Sequence, residues 1–395
     1  MTILQLKRGK EVNLQRLHPW IFSGAFKNIP RQLPAGAHVK VADSEGTIVA
    51  TGHFHPGSIA VRVLAFDDRN IDADYWTTQL AKARNYRRSI GLGTKSDTDC
   101  YRLVHGEGDG MPGLIVDIYG SMAVVQCHSV GCYNDRHVIA KALLAVMAPT
   151  ITNVYYSVKT TLPGDYGMEA TDGYHQDDNQ SSEAVVTEHG IKFAVNWETG
   201  QKTGFFLDQR DNRQLLRQYS EGKTVLNCFC YTGGFSMYAL AGGATKVTSM
   251  DISETATDLV QRNHQLNGYD DQRHSIVTTN VMKALQADDI PQYDIVVIDP
   301  PAFAKSIKKR HNAVQAYKRL NAMALKKVAP GGYLFTFSCS QVVDTPLFNN
   351  TVRAAAIESG RTIRVVRKLT QGPDHPVNIY HPEGSYLKGL ILHVE

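Results

Sequence analysis

The sequence of 395 residues carries 42 lysines and arginines against 38 aspartates and glutamates, a formal net charge of +4. A hydrophobic content of 43% and a charged content of 20% are typical of a soluble globular protein with about two or three domains. No apolar run is long enough to span a membrane, the first residues lack the apolar core of a signal peptide, and the six cysteines form no paired framework. We therefore expect a cytoplasmic protein without membrane contact, in which any site for a polyanion is local.

Residues 1–70 are predicted to form a small β-rich domain. The stretches 38–43, 47–54 and 58–66 have strand length and an alternating or continuous apolar pattern, and Gly, Pro and Ser separate them. This part is also basic from Lys7 and Arg8 onward and contains Trp20. Such residues suit phosphate contact and base stacking in RNA, although a solvated surface explains a basic run equally well.

Residues 71–200 are predicted to form a central α+β domain. The pattern indicates a helix at 72–90, strands between 101 and 131, a helix at 135–146, a strand at 153–158 and a hairpin about His189-Gly190. The polar stretch 172–183 is predicted to be an exposed loop. No catalytic constellation is visible here, which favours a spacer or docking domain.

Residues 201–395 alternate between strand and helix patterns, which predicts an α/β domain with a doubly wound sheet. Strands are predicted at 224–229, 246–250, 275–279, 293–298, 332–338, 363–367 and 386–393, with helices between the first six. The last two strands leave no room for a helix of the same kind and are predicted to close the sheet as an antiparallel pair.

A glycine turn follows the first of these strands. Gly233 and Gly234 lie between an apolar strand and a helix start, and the next strand ends in Asp251, about 20 residues on. Glycines let the backbone approach a ligand, and an acid at this place usually binds a ribose. The pattern favours nucleotide or nucleoside-cofactor binding over a bare structural turn.

Two later strand ends carry chemically active groups. Asp299, Pro300 and Pro301 follow the fourth strand, where rigid prolines present a carboxylate and leave Phe303 available for stacking. The alternative is a strand end bounded by prolines. Cys339 follows the fifth strand and faces the same edge, although a lone cysteine is more often a small buried hydrophobe.

A basic segment lies between these two loops. It includes Lys305, Lys308, Lys309 and Arg310 and no acid. Because a helix start normally carries acids in its first turn, the pattern favours contact with a phosphate backbone.

Several motifs in order resemble a known family. NCFCYTGGF, DPPAF, TFSCS, HPWIFSGAF and DHPVNIYHPEGSYLKG are similar to those of the RlmI-type (YccW family) ribosomal RNA large subunit cytosine-5 methyltransferases, from Leu6 to near the end of the chain. The resemblance implies an N-terminal PUA domain for RNA binding, a central α+β domain and a class I S-adenosylmethionine (SAM) methyltransferase domain. It also implies a cytosine in 23S ribosomal RNA as substrate.

The resemblance also implies roles for individual residues. Asp251 would bind the ribose hydroxyls of SAM, Ile252 would lie against the adenine, and Cys339 would be the nucleophile. Asn280 stands where family members often have an aspartate that accepts a hydrogen bond from the adenine amino group. The full implied set for the cofactor is Gln209, Arg210, Phe229, Tyr231, Thr232, Gly233, Asp251, Ile252, Ser253, Asn280, Val281, Asp299 and Pro300.

The thiol has a chemical rationale in this family. Carbon 5 of cytosine is a poor nucleophile, and addition of the Cys339 thiolate at carbon 6 would make it carbanion-like. Asp299 would hold the exocyclic amine or the protonated ring nitrogen 3, and Phe303 suits a base taken out of its stack. We expect catalysis by Cys339 and Asp299, RNA contact by Pro301, Phe303, Lys305, Lys308, Lys309, Arg310, Lys7, Arg8 and Trp20, and no metal.

Three alternatives stay open at this point. Methylation of a base nitrogen would use the Asp299 loop without a thiol, and a non-catalytic RNA-binding protein that assists ribosome assembly would need no SAM. A nicotinamide-dependent dehydrogenase would leave Asp299-Pro300-Pro301 and Cys339 without a role. A homodimer is compatible with the sequence, which does not identify the methylated nucleotide.

Overall fold

The computed structural model describes residues 1–94, 97–164, 166–176, 181–287, 289–304 and 306–395. The chain divides into two compact units, each assembled from stretches that are far apart in sequence. The first unit contains Met1–Val186, Val195–Leu207 and Pro373–Gly384; the second contains Thr187–Ala194, Asp208–Gly372 and Ser385–Glu395.

The first unit begins with a five-stranded sheet. Its elements are β1 (Thr2–Gln5), α1 (Val12–Gln15), β2 (Trp20–Phe22), β3 (His38–Ala42), β4 (Ile48–Phe54) and β5 (Ile59–Ala65). The spatial order is β1-β3-β4-β5-β2, around a core that includes Leu6, Val39 and Val61. The three predicted strands are confirmed. Sequence analysis missed β1 and β2, because three or four residues are too few to show an alternating pattern.

A second five-stranded sheet follows, covered by helices. Its elements are α2 (Ala73–Ser89), β6 (Cys100–His105), β7 (Leu114–Tyr119), β8 (Met122–Cys127), α3 (Val130–Asn134), α4 (Arg136–Met147), β9 (Asn153–Tyr156), α5 (Tyr166–Glu169) and β10 (Gly173–Tyr174), with the strands in the order β10-β9-β8-β7-β6. The carboxylate of Asp72 caps α2 by accepting a bond from the Tyr75 N–H. Part of the predicted loop at 172–183, residues 177–180, lies outside the described residues.

The predicted hairpin is confirmed as β11 (Glu183–Glu188) and β12 (Ile191–Asn196), which form a two-stranded sheet. Its turn places His189 at φ +49° and Gly190 at φ +78°. Two successive positive φ angles match the twist of the flanking strands, which is why this pair suits a two-residue turn.

The second unit is built on a seven-stranded sheet. Its elements are α6 (Arg210–Tyr219), β13 (Thr224–Cys228), α7 (Gly234–Ala241), β14 (Lys246–Asp251), α8 (Glu254–Asn267), β15 (His274–Thr278), α9 (Val281–Gln286), β16 (Tyr293–Ile298), α10 (Arg310–Lys326), β17 (Val328–Ser338), α11 (Thr345–Ser359), β18 (Ile363–Leu369) and β19 (Lys388–Val394). The spatial order is β15-β14-β13-β16-β17-β19-β18. All seven predicted strands are confirmed, and so is the closing antiparallel pair of β18 and β19.

The strand order explains where a ligand can bind. The chain moves outward from β13 through β14 to β15, and then crosses to the other side of β13 at β16. In such a sheet the loops on either side of the crossover separate and leave a crevice beyond the carboxyl ends of the strands. The segments after β13, β14, β16 and β17 therefore meet at one edge.

Within the described ranges, no helix combines the length and the apolar character that a transmembrane helix needs.

Candidate active site

The turn after β13 has an unusual backbone. Phe229, Tyr231 and Gly233 have φ angles of +58°, +46° and +74°. Left-handed geometry at two residues other than glycine is costly and is typically found at functional sites. A Cβ on Gly233 would lie 3.0 Å from Cγ1 of Val260, so this position needs glycine for space as well as for its φ angle.

Asp251 holds this turn from the end of β14. One carboxylate oxygen accepts a bond from the Tyr231 N–H at 3.0 Å, and the other accepts from the Ser253 N–H at 3.1 Å. The adjacent Ile252 is 68% exposed, although it is a large apolar residue. A carboxylate can accept hydrogen bonds from sugar hydroxyls, and an exposed apolar side chain suits a flat ring.

Of three further predicted cofactor residues, two are buried and the third, Asn280, is exposed. Thr232 and Val281 are both 3% exposed, and the Thr232 carbonyl accepts from Asn263 Nδ2 at 2.8 Å. Asn280 is the N-cap of α9, where its side-chain oxygen accepts from the Lys283 N–H at 3.1 Å. The amide oxygen predicted to bind the adenine amino group therefore already holds a helix start, and only its second lone pair remains for a ligand.

Asp299 follows β16 and sits in a desolvated polar cluster. Gln209 Nε2 donates to its Oδ2 at 3.0 Å, while Gln209 Oε1 accepts from Asn212 Nδ2 at 2.7 Å. The residue as a whole is partly exposed, but burial of its carboxyl group, and the nearby Asp208, raise the pKa of Asp299 to about 7. The Gln209 bond and Arg213 oppose this shift. Asp299 can therefore carry a proton close to neutral pH.

Asp208 belongs to this cluster and not to a helix cap. An aspartate just before a helix is often its N-cap, but Gln209 occupies the N-cap position of α6 and makes no side-chain capping bond. The Asp208 Oδ2 instead accepts from the Tyr386 hydroxyl at 2.6 Å. Its Oδ1 is buried and has no hydrogen-bond partner within the part of the chain that the structure describes. The neighbouring Arg210 is 2% exposed and lies 3.6 Å from the Asp211 carboxylate.

The Cys339 loop lies next to the Asp299 loop. The preceding strands β16 and β17 are parallel neighbours, and Ile298 is paired with Thr336. Cys339 is half-buried and not in a disulfide. The hydroxyl of Ser340 donates to the Ala304 carbonyl at 2.7 Å, which ties the two loops together. A carboxyl group and a thiol thus reach the same edge of the sheet from adjacent strands.

The predicted RNA-contacting residues of this unit differ in exposure. Pro301 is exposed, whereas Phe303 packs against Tyr317 with ring centroids 4.7 Å apart and is not openly available for stacking. Lys308, Lys309 and Arg310 are exposed, and among the described residues no carboxylate pairs with them. Lys305 lies outside the described residues.

The predicted RNA-contacting residues of the first unit also differ in their surroundings. Lys7 and Arg8 are exposed, and Lys7 Nζ donates to the Gly24 carbonyl at 3.1 Å. The indole N–H of Trp20 donates to Glu107 Oε1 at 2.8 Å, and its ring lies 4.4 Å from that of His381. This internal packing does not favour stacking of Trp20 on a base.

Sequence analysis assigned no role to three residues that the structure brings to the site: Asp208, Tyr386 and Lys388. The last two belong to the tail motif DHPVNIYHPEGSYLKG, which was noticed only as a family signature. A lysine at the start of the mainly apolar strand Lys388–Val394 is the signal that could have drawn attention to Lys388.

The raised pKa of Asp299 predicts a pH-dependent effect on stability. Because the folded-state pKa lies above the ordinary value of 3.8, the protonated form is favoured by folding, and this stabilisation is complete below about pH 4 and lost as pH rises through about 7. We expect Asp299→Asn, which resembles the protonated form, to be more stable than the native protein at pH 8.5, by about 2–4 °C in Tm for each kcal/mol recovered. The gain should shrink toward pH 5. Thermal melts of both proteins across this range measure it, and an equal difference at every pH would contradict it.

The fold and this site define a SAM-dependent methyltransferase. A family model described as S-adenosylmethionine-dependent methyltransferase matches residues 172–391, and a PUA-like domain model matches residues 4–66. Over 399 residues the chain is 37% identical to ribosomal RNA large subunit methyltransferase I of Erwinia tasmaniensis, with 100% of both chains covered. The protein of the same name from Citrobacter koseri is 38% identical over 395 residues, covering 99% of each. The chain belongs to the ribosomal RNA large subunit methyltransferase I family.

Solved structures agree on the fold. A Streptococcus mutans protein described as a candidate SAM-dependent methyltransferase superposes with a TM-score of 0.84 at 22% identity, over 100% of both chains. A methyltransferase structure in complex with SAH gives 0.85 at 22% identity, also over 100% of both. The predicted family, fold class and SAM cofactor are confirmed. The three predicted domain boundaries and the individual site residues stay predictions.

Proposed function

We propose that this enzyme methylates carbon 5 of a cytosine in 23S ribosomal RNA through a covalent adduct with Cys339. Relatives named ribosomal RNA large subunit methyltransferase I, at 37% identity over the full length, support a large-subunit RNA substrate. The observation that carries the chemical part is the pairing of a thiol and a carboxyl group on adjacent strand ends, with the Ser340–Ala304 hydrogen bond joining their loops. A base-nitrogen methyltransferase has no use for the thiol.

In this mechanism each protein group handles a definite atom. The Cys339 thiolate adds to carbon 6 of the cytosine while the proton of Asp299 moves to ring nitrogen 3, which leaves carbon 5 electron-rich and Asp299 ionised. Bound SAM supplies the methyl group that carbon 5 receives. A base then removes the carbon 5 proton, Cys339 leaves carbon 6 as a thiolate, and the proton on nitrogen 3 returns to Asp299.

The raised pKa of Asp299 supports its part in this scheme. An ordinary carboxyl group is almost fully ionised at neutral pH and has no proton to give. Burial and the Asp208 charge bring the pKa of Asp299 to about 7, close to the working pH that suits a general acid. Gln209 binds only one of its two oxygens, so the other stays available for the base.

The residues around the turn would hold the cofactor. Asp251 suits the ribose hydroxyls, Ile252 suits the adenine face, and the Tyr231–Gly234 backbone would pass along the methionyl part. Asn280 would contribute to adenine recognition only through its second lone pair, since the first accepts the helix-capping bond.

Nucleoside analysis tests the proposed reaction. Purified protein is incubated with SAM carrying a labelled methyl group and with 23S ribosomal RNA from a strain that lacks the gene, and the RNA is digested and analysed by mass spectrometry. We expect the label in 5-methylcytidine. Label only in N-methylated nucleosides would support the base-nitrogen alternative, and measurable SAM binding with no transfer to any ribosomal RNA would overturn the proposal.

The exposed basic segment predicts a salt-dependent contribution to RNA binding. The double variant Lys308→Ala/Lys309→Ala should weaken binding and reduce the steepness of log K against log salt by about 1.4, because each lost contact to single-stranded RNA removes about 0.7. Filter binding at several salt concentrations measures the slope. Lys246→Ala/Lys326→Ala is a matched control, since these exposed lysines begin β14 and end α10 at the opposite edge of the sheet. Equal slopes for both double variants would contradict the contact.

A further inference from the structure

Lys388 is a buried lysine that has no role in the reaction proposed above. It begins β19, which is antiparallel to β17, and its backbone is paired with Ser338, the residue before Cys339. Its side chain is 6% exposed. The Nζ donates to the Ser340 carbonyl at 2.7 Å and to the Tyr386 carbonyl at 2.6 Å. Lys388 therefore reaches both residues that flank Cys339, one through its backbone and one through its amine.

The surroundings of this amine lack a close counter-ion. Within the described ranges no carboxylate forms an ion pair with Lys388, and an ammonium group buried without one is costly. Burial lowers the pKa of Lys388 to about 8, while Cys339 and, to a smaller extent, Asp344 oppose that shift. Tyr317 also interacts electrostatically with Cys339 and with Asp299. A thiolate on Cys339 and an ammonium group on Lys388 would therefore stabilise each other.

We propose that Lys388 is a positioning residue for Cys339. The ammonium group of Lys388 stabilises the Cys339 thiolate, and its hydrogen bond to the Ser340 carbonyl fixes the loop that carries Cys339. A role of Lys388 in catalysis rests on the proposed function. The effect of Lys388 on the Cys339 thiol does not, because thiolate formation can be measured without RNA or SAM.

A second buried lysine shows what a purely structural role looks like. Lys327 is 9% exposed, and its Nζ donates to two carbonyls, those of Ala287 at 2.6 Å and Ile290 at 3.1 Å. It directly precedes β17, at the end of the strand opposite to Cys339. Lys327 is therefore a matched control with the same kind of bonds and no cysteine beside it.

Alkylation of Cys339 by iodoacetamide tests the proposal in the intact protein. The other five cysteines are buried, so the reaction of the native protein reports mainly on Cys339, and peptide mass spectrometry identifies the modified residue. Rates are measured from pH 6 to 10 for the native protein and for Lys388→Met, Lys388→Gln, Lys388→Arg and Lys327→Met. The pH midpoint is compared, because the rate alone also depends on the intrinsic nucleophilicity of the thiolate.

The variants separate charge from hydrogen bonding. Glutamine keeps a donor for the carbonyls without charge, and arginine keeps the charge. We expect Lys388→Met and Lys388→Gln to raise the midpoint by about one pH unit, which slows alkylation about tenfold at pH 7, and Lys388→Arg and Lys327→Met to shift it little. If the pH midpoint of alkylation in Lys388→Gln equals that of the native protein, the proposal is overturned, and the role of Lys388 is limited to hydrogen bonding.

Two further measurements keep the test decisive. Circular dichroism establishes that each variant is folded; if Lys388→Met does not fold, the contrast between Lys388→Gln and Lys388→Arg decides the question. Methyl transfer by the native protein is measured in parallel. A Lys388-dependent midpoint without any methyl transfer would refute the proposed function and leave this inference standing.

Discussion

Replacing Cys339 with alanine is expected to lower the rate of methyl transfer by at least about 10³-fold, which corresponds to about 4 kcal/mol of lost transition-state stabilisation. Without the thiolate, carbon 5 would have to react from an intact aromatic ring. SAM affinity should stay within about twofold of the native value, because Cys339 is not among the residues proposed to hold the cofactor. Single-turnover transfer of a labelled methyl group and calorimetric SAM binding measure the two quantities.

A matched control separates chemistry from general loss of a cysteine. Cys127→Ala removes a fully buried thiol from the first unit and should leave the rate per folded molecule unchanged. RNA containing 5-fluorocytosine adds a direct test, because after methylation carbon 5 has no proton to lose and the adduct cannot break down. The native protein should form a stable complex with such RNA and Cys339→Ala should not. Full turnover by Cys339→Ala would exclude the covalent route and favour methylation of a base nitrogen.

Much of the second unit could be predicted because short stretches of sequence are enough to identify its strands. The strands 224–228 and 293–298 are short buried apolar runs, and buried parallel strands have this pattern wherever they occur. Once such strands are ordered, their carboxyl ends lie at one edge, so Asp299 and Cys339 could be predicted as neighbours without any coordinates. The structure supports this with the register of β16 and β17.

What the sequence could not predict depends on contacts between distant residues. The bond between Asp208 and Tyr386 joins positions 178 residues apart, and neither residue carries a local pattern that points to the other. A local rule would make Asp208 the cap of α6, whereas Gln209 occupies that position. The position of Lys388 likewise depends on β19 inserting between β17 and β18, which no periodicity reveals.

Side-chain competition sets a second limit on prediction. Trp20 is an aromatic residue in a basic segment, but its indole is engaged by Glu107 and His381. Asn280 has the donor and acceptor groups for adenine recognition, but its oxygen caps α9. Residue type shows what a side chain can bind, whereas packing decides which partner it finds first.

Asp299→Ala is expected to lower kcat by about 10²–10⁴-fold, the usual contribution of a positioned general acid. The pH profile identifies its role. If Asp299 gives its proton to ring nitrogen 3, the free enzyme must be protonated there, and kcat/KM falls as pH rises above about 7, where the pKa of Asp299 lies. Asp299→Asn, which keeps a hydrogen-bond donor but cannot transfer a proton, should be slow and lack this descending limb.

The matched control for this profile is Asp294→Asn, at the other end of β16. Asp294 accepts bonds from the N–H and the hydroxyl of Thr224, at 2.8 and 2.9 Å, and an amide oxygen can accept at the same place. Its profile should keep the native shape. If Asp299 instead acts as a carboxylate that accepts from the exocyclic amine, kcat/KM must rise through pH 7, because only the ionised form accepts with both oxygens. Because ionisation of Cys339 also makes kcat/KM rise with pH, the comparison with Asp299→Asn decides: loss of a descending limb in that variant indicates proton transfer, and loss of an ascending limb near pH 7 indicates amine binding.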